Sequence, residues 1–313
     1  MKTLFSVLVM LVSVMPAAAQ CCAGCGYMAC ETQQTEASET ADAIAAFIKD
    51  KRARIGVAWT EGDKLLTVND SPDYPMMSVF KLHVAVAVLR KMAREGTSPD
   101  MVLHIGASRM QKDTYSPLLR LHPDADFDIS LRELLRYSVA ESDNNACDIL
   151  IDYAGGVDVV SREMRSVGVS DFRITETEAT MHADTSRCRN NTSSPSSVAR
   201  LLRDIFEGDI LTGGYARLMQ QTLLMTTTGA DKIKAGLSPD MTLAHKTGSS
   251  DRSPEGVKTG DNDAGVITLP DGRRCYLAVF IKDSAESDAA NAATIAGITK
   301  IILSRTMRRE AAK

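Results

Sequence analysis

The sequence predicts an α+β fold of two lobes. An antiparallel sheet of about five strands is built from both ends of the chain, and an all-helical lobe is inserted between them. Three observations predict it. Strand-like runs occur at 54–68 and again at 241–282. The stretch between them has apolar residues recurring every three or four positions, the helical period. At 313 residues, 44% of them apolar, the chain is long enough to bury a sizeable core.

The elements follow in order. Lys2, the apolar run Leu4 to Val14, Pro16 and Ala17-Ala18-Ala19 have the charged start, short apolar core and small-residue end of a secretory signal peptide spanning 1–19. The run is too short to cross a membrane and no later segment reads as a span, so the expected product is soluble, periplasmic or secreted. The rival export route is a lipoprotein acylated at Cys21, which Gln20 just before it disfavours. Residues 20–37 then read as a tether carrying Cys21, Cys22, Cys25 and Cys30. Disulfides in any of three pairings, a small metal site and an oxidised leader all remain open for that cluster, although no His or second Cys pair flanks it. Cys147, Cys188 and Cys275 are far apart and read as small buried apolar residues.

Ser38-Glu39-Thr40 opens a helix reaching about Lys51. Arg54 to Thr60 and Lys64 to Val68 read as strands around the turn Glu61-Gly62-Asp63. Helical patterns follow at Val79 to Glu95, Leu131 to Val139, Asn144 to Tyr153, Val157 to Ser166, Ser196 to Phe206 and Tyr215 to Thr226. Strands return at Met241 to Thr247, Ala264 to Leu269 and Cys275 to Lys282, the last two joined at Asp271-Gly272. A final amphipathic helix runs from Asp288 to about Met307 and ends in Arg308-Arg309, as a helix C-terminus prefers. The sheet lobe is thus expected from 38–70 and 233–313 and the helical lobe from 71–232, with a ligand cleft at their junction.

Composition removes several function classes. Net charge is −4 with no dense Lys/Arg tract, which argues against nucleic acid as a partner. Charged residues make up 24%, which excludes disordered and fibrous classes. His83, His104, His122, His182 and His245 show no H-x-H or H-E-x-x-H spacing, so neither a metal nor another cofactor is expected.

Three short motifs carry chemistry. Ser78-Val79-Phe80-Lys81 places a hydroxyl and an amine on one helix face, and an amine held neutral can take the proton of an attacking serine. The helix start beside it favours a developing oxyanion. Ser142-Asp143-Asn144 lies between two helices. Ser142 is placed to pass a proton to a leaving nitrogen and Asn144 to donate to a substrate amide, although all three residues also cap helices. Lys246-Thr247-Gly248 ends a strand, with charge, a hydroxyl donor and room for a ligand along the edge. A second copy, Lys258-Thr259-Gly260, is followed by Asp261-Asn262-Asp263 and reads as a loop, so the first copy is preferred. Singly each motif is weak.

Together, in this order, the three motifs resemble the class A serine β-lactamases and penicillin-binding proteins. Tyr74-Pro75-Met76-Met77 before Ser78 and Tyr115-Ser116-Pro117 resemble the β-lactamases too, and the likeness covers nearly the whole chain after about residue 36. The resemblance implies a β-lactamase/transpeptidase-like fold and a fourth element on an Ω-type loop near 172–193. There the family pattern E-x-x-L-N falls on Glu178, with Met181 for Leu and His182 for Asn. Glu178 would activate the deacylating water. His182 would hold that water and make activity pH-sensitive. Glu176 stands where many members carry Arg, so a usual salt bridge of the loop is missing. Ala244-His245-Lys246-Thr247-Gly248-Ser249 resembles the PER-like and CfxA-like branch, which favours cephalosporins.

The implied machinery is Ser78, Lys81, Ser142 and Glu178 for catalysis. The backbone N–H groups of Ser78 and Ser249 form the oxyanion hole, and Asn144, Lys246, Thr247, Gly248, Ser249, Tyr115 and His182 bind substrate. Lys232 is a further candidate for the substrate anion, against a solvated lysine at a helix end. Lys81 and Glu178 both stand as the acylation base. The expected protein is a monomer acting on a small β-lactam. The rivals are a D-alanyl-D-alanine peptidase or transpeptidase, and a β-lactam-binding sensor that is acylated without turnover.

Overall fold

The structure, a computed structural model, describes residues 25–311 except 63 and 209, and among them the side chains of 37–306. The expected signal peptide, Cys21 and Cys22 lie outside the described residues, as do the side chains of Cys25, Cys30, Arg308 and Arg309.

Helix α1 (Cys25–Ile48) leads into strands β1 (Arg54–Glu61), β2 (Lys64–Val68) and β3 (Tyr74–Pro75). A 3-10 turn over Met77–Phe80 runs directly into α2 (Lys81–Glu95). The hairpin β4 (Val102–Ile105) and β5 (Phe127–Ser130) brackets the short α3 (Pro117–Leu121). Then come α4 (Leu131–Ala140), α5 (Asn144–Ala154) and α6 (Val157–Ser166). Strand β6 (Phe172–Arg173), helix α7 (Glu178–Ala183) and strand β7 (Thr192–Ser193) frame the loop that carries Glu178. The chain continues through α8 (Pro195–Glu207), α9 (Gly213–Leu224), β8 (Thr242–Ser249), β9 (Lys258–Thr268), β10 (Arg274–Ser284) and α10 (Asp288–Ala311).

Five strands pair antiparallel in the order β2-β1-β10-β9-β8, so the two ends of the chain do meet in one sheet. Strands β1 and β10 are buried along nearly their whole length. Each is covered on both faces, which explains their continuous apolar runs in place of alternation. On one face Val57, Leu277, Val279 and Ile281 pack with Ile44 of α1 and Ile295, Ile298 and Ile302 of α10. On the other, Ala58, Tyr276, Ala278 and Phe280 join Val198, Leu201 and Ile205 of α8 in the larger core of the helical lobe.

Helix α2 sits at the centre of that lobe. Leu82, Val84, Ala85, Val86, Ala87, Val88, Leu89 and Met92 are all buried, so it is apolar around its full circumference. Gly96, in the left-handed region at φ 67°, closes it with its N–H on Met92 O.

Three expectations need correction. First, α1 begins at Cys25 instead of Ser38, so 31–37 is helical. Glu, Gln, Thr and Ala follow one another there with no Gly or Pro to stop a helix. Second, Lys258-Thr259-Gly260 and the following Asp261-Asn262-Asp263 are not a loop but the first half of β9, paired with β8 and β10. A polar run can be an inner strand when each buried group finds a partner. Third, the short strands β3 to β7 had no separate pattern, because two to four residues cannot display a period.

Candidate active site

The 3-10 turn at the foot of α2 presents Ser78, and Lys81 begins the α-helix proper, fully buried. Lys81 Nζ donates to Ser78 Oγ at 3.0 Å, to Ser142 O at 2.8 Å and to Asn144 Oδ1 at 2.7 Å. Glu178 Oε1 lies 2.8 Å from the same nitrogen as an ion pair. Four oxygens from three stretches of chain therefore converge on one amine. Met77, immediately before Ser78, is held at φ 48°, and Ser142 at φ 62°. These are the left-handed conformations that non-glycine residues adopt when surrounding structure imposes them.

Ser142 and Asn144 are positioned by Asp143. Its Oδ1 caps α5 at Ala146 N, and its Oδ2 accepts from Ser116 Oγ at 2.8 Å and Leu118 N at 2.7 Å. Burial raises the pKa of this carboxyl. The Asn144 amide nitrogen donates to Thr114 Oγ1 at 2.8 Å, and its backbone N–H reaches Tyr115 O. The Tyr115 ring stands half-exposed at 50%.

From the other side, β8 brings in Lys246, also fully buried. Its Nζ donates to Ser142 Oγ and to Thr247 O, both at 2.8 Å. Burial, with the Lys81 ammonium beside it, pushes its pKa well below that of an ordinary lysine. Thr247 Oγ1 shares a hydrogen bond with Thr228 Oγ1 at 2.5 Å. A Cβ on Gly248 would stand 2.5 Å from Met76 O and 3.0 Å from Ser78 N. Gly248 thus lets the end of β8 lie against the backbone at Ser78, a tighter requirement than leaving room for ligand.

Glu178 opens α7. The Thr177 side chain caps this helix, and Asp148 of α5 reaches across to cap it too. Asp148 accepts Glu178 N on Oδ1 and Ala179 N on Oδ2, each at 2.8 Å. The loop keeps its form without the Arg expected at position 176. Glu176 is itself the hub, accepting from Thr180 Oγ1 at 2.7 Å and Asn190 Nδ2 at 2.9 Å and pairing with Arg187 at 3.3 Å. Buried Asn191 ties the loop base, accepting from Thr175 N and Glu176 N and donating to Glu176 O. The loop thus has an ion pair of its own, with the acid at 176 and the base at Arg187.

Two residues differ in setting from their neighbours in the site. His182, on α7, is solvent-exposed. Lys232 is no solvated helix-end lysine: it is 8% exposed and donates to Asp261 Oδ1 at 2.6 Å and Asn262 O at 3.2 Å. Asp261 also accepts the hydroxyl of Ser249 at 3.2 Å. Asp148, Asn191 and Asp261 were not singled out from the sequence. Each acts on a partner at least a dozen residues away, and no local spacing signals such a pairing. Among the described residues no group of three or more His, Cys, Asp or Glu side chains is placed to hold a metal ion.

Comparison with known proteins agrees with this geometry. The family described as the Beta-lactamase enzyme family matches residues 39–306. A β-lactamase of Bacteroides uniformis is 44% identical over 267 residues, 85% of this chain and 90% of its own length. The extended-spectrum β-lactamase PER-1 of Pseudomonas aeruginosa is 34% identical over 263 residues, 82% of this chain and 84% of its own. A crystal structure of a class A β-lactamase from Bacteroides cellulosilyticus superposes with a TM-score of 0.83 at 41% identity, covering 87% of this chain and 98% of that one. The chain belongs to the β-lactamase enzyme family, within its class A.

Proposed function

We propose that the chain hydrolyses β-lactams through an acyl-enzyme on Ser78. The observation that carries this is the placement of Lys81 Nζ, 3.0 Å from the hydroxyl that attacks and 2.8 Å from the Glu178 carboxylate that drives release. In acylation Ser78 Oγ bonds to the lactam carbonyl carbon and its proton passes to the Lys81–Glu178 pair. The backbone N–H groups of Ser78 and Ser249 receive the oxyanion. The ring C–N bond then breaks with its electron pair going to nitrogen. Ser142, with Lys246 Nζ 2.8 Å from its Oγ, protonates that nitrogen, and the proton taken from Ser78 passes from the Lys81–Glu178 pair to make good the loss, leaving Glu178 ionised. In deacylation Glu178 takes a proton from a water that attacks the ester, and Ser78 leaves with its proton restored.

Asn144, Thr247, Ser249 and Tyr115 line the substrate side of this centre. The ion pair to Glu178 favours hydrolysis over transpeptidation or non-hydrolytic sensing, since an acyl group passed to an amine or kept on the enzyme needs no water-activating carboxylate. The likeness to an extended-spectrum relative supports a preference for cephalosporins. The residues preceding the domain support export to the periplasm or medium by a cleaved signal peptide. Among the described residues no helix is long and apolar enough to cross a membrane.

Turnover of a chromogenic cephalosporin tests the reading. The wild type is expected to turn over many times. Glu178→Ala should acylate and stall, with one equivalent bound by mass spectrometry. Ser78→Ala should form no adduct. A single stoichiometric burst from the wild type, or hydrolysis retained in Ser78→Ala, would refute it.

A further inference from the structure

We propose that Asp261 is a specificity-determining residue: it silences the two groups beside the cleft best suited to hold a substrate carboxylate, the Lys232 ammonium and the Ser249 hydroxyl. The proposal rests on β-lactam hydrolysis at this site and names how its anion recognition is set.

Ser249 ends β8 directly opposite Asp261 on β9, so both side chains stand on one face of the sheet. Asp261 is 2% exposed. One of its oxygens, Oδ1, accepts from both Lys232 Nζ at 2.6 Å and Ser249 Oγ at 3.2 Å. The other, Oδ2, accepts from Asn291 Nδ2 at 3.2 Å and lies 3.5 Å from Lys258 Nζ. Lys258 has a second partner in Asp288 at 3.0 Å.

Two consequences follow from elementary chemistry. An ionised carboxylate only accepts, so Ser249 commits its single hydroxyl hydrogen to Asp261 and turns lone pairs toward the cleft. Lone pairs repel a carboxylate. The charge of Lys232 is likewise cancelled at contact distance by a buried partner. Lys232 belongs beside the cleft: a Cβ on Gly229 would meet Thr247 Cγ2 at 2.5 Å and Lys232 Cδ at 3.6 Å, so its stem runs alongside the Lys-Thr-Gly strand. Without Asp261, an uncompensated ammonium and a free hydroxyl donor would both address an anion at Ser249. With it, carboxylate binding falls to Lys246 and Thr247 alone.

The experiment compares a chromogenic cephalosporin bearing its free carboxylate with the methyl ester of the same compound. In Asp261→Asn the amide can donate to Ser249, freeing the hydroxyl hydrogen, and it leaves the charge of Lys232 unmatched. The ratio of ester KM to acid KM is expected to rise about five-fold, with kcat within about two-fold, as one added charge near the ligand predicts. Asp261→Asn/Lys232→Gln, which restores neutrality, should return the ratio to that of the wild type. A ratio unmoved by the first change, or unrestored by the second, overturns the proposal. Should Asp261→Asn fail to fold, Ser249→Ala decides. Its ratio of ester KM to acid KM should stay within about two-fold of the wild type, because Asp261 already holds the hydroxyl hydrogen, and a fall of about five-fold would show that the hydroxyl holds the carboxylate and overturn the proposal. If the wild type hydrolyses neither compound, β-lactam hydrolysis itself fails and this inference falls with it.

Discussion

Where Glu178 stands is decided by two hydrogen bonds to a residue 30 positions earlier. Asp148 receives the N–H groups of Glu178 and Ala179, one on each oxygen, and so fixes the first turn of α7. Burial lifts its pKa to about 6, against the opposing pull of those two N–H groups, and the charge of Glu178 adds to the rise. A carboxyl whose pKa rises on folding stabilises the fold fully below its unfolded pKa, near 3.8, and loses that contribution as pH climbs through about 6. Catalysis runs the other way, because only the ionised form accepts on both oxygens. Deacylation is therefore expected to weaken as pH falls through about 6 without loss of stability from this group. Asp148→Asn turns one acceptor into a donor facing an N–H. It should slow deacylation about ten- to a hundred-fold while acylation changes less, and remove the titration from the pH profile. Rapid-quench measurement of both steps across pH checks this, and equal slowing of the two would argue for general damage. From sequence Asp148 is one more polar position in a helical pattern, because the residue it serves is absent from its neighbourhood.

At the scale of elements, the clasp of the Glu176 loop carries the next expectation. Burial opposes the charge of Glu176, but hydrogen bonds from Thr180, Asn190 and Arg187 hold its pKa below the usual range. Glu176→Ala removes the acceptor of the Asn190 amide and the shorter of two bonds from the Thr180 hydroxyl, which keeps Thr177 O at 3.1 Å, and should cost about 1–2 kcal/mol of stability. With α7 loosened, the expected kinetics are a burst of acylation followed by slowed turnover. A variant with unchanged melting and unchanged steady state would show that Asn191 holds the loop alone. This loop also marks the boundary of what the sequence could say. Helices α2, α5, α6 and α8 and strands β1 and β10 were legible because burial writes a period or an apolar run into them. The Ser-x-x-Lys, Ser-Asp-Asn and Lys-Thr-Gly stretches were legible because their chemistry sits within three or four residues. The polar half of β9 was not, because Asp-Asn-Asp looks like a turn until Lys232, His245 and the backbone at Ile281 satisfy it. The clasp was equally hidden, since Glu176 alone looked like a lost salt bridge.

The whole molecule joins its two apolar layers at the turn that carries the nucleophile. Asn262, fully buried on β9, donates to Pro75 O at 2.8 Å and Met76 O at 3.0 Å and accepts Ile281 N from β10 at 3.1 Å. Beside it, Gly248 and Gly260 let β8 and β9 approach: a Cβ on Gly260 would stand 2.7 Å from Met77 Cγ. One side chain thus links the sheet lobe to the backbone two and three residues before Ser78. Asn262→Ala leaves Pro75 O and Ile281 N without this partner, while Met76 O keeps Val79 N. The expected loss is about 2–3 kcal/mol, read as a fall of roughly 5–10 °C in Tm for a domain of this size. Because the freed segment carries the nucleophile, acylation should slow together with the loss of stability. This contrasts with the Asp148 and Glu176 variants, whose effect falls on deacylation. Hydrogen exchange at 76–81 should rise more than in the α1–α10 layer. Asn262→Asp, which keeps the shape but cannot donate, should lose most of the same stability. A melting temperature within about 1 °C of the wild type in both variants would mean that apolar packing alone holds the seam.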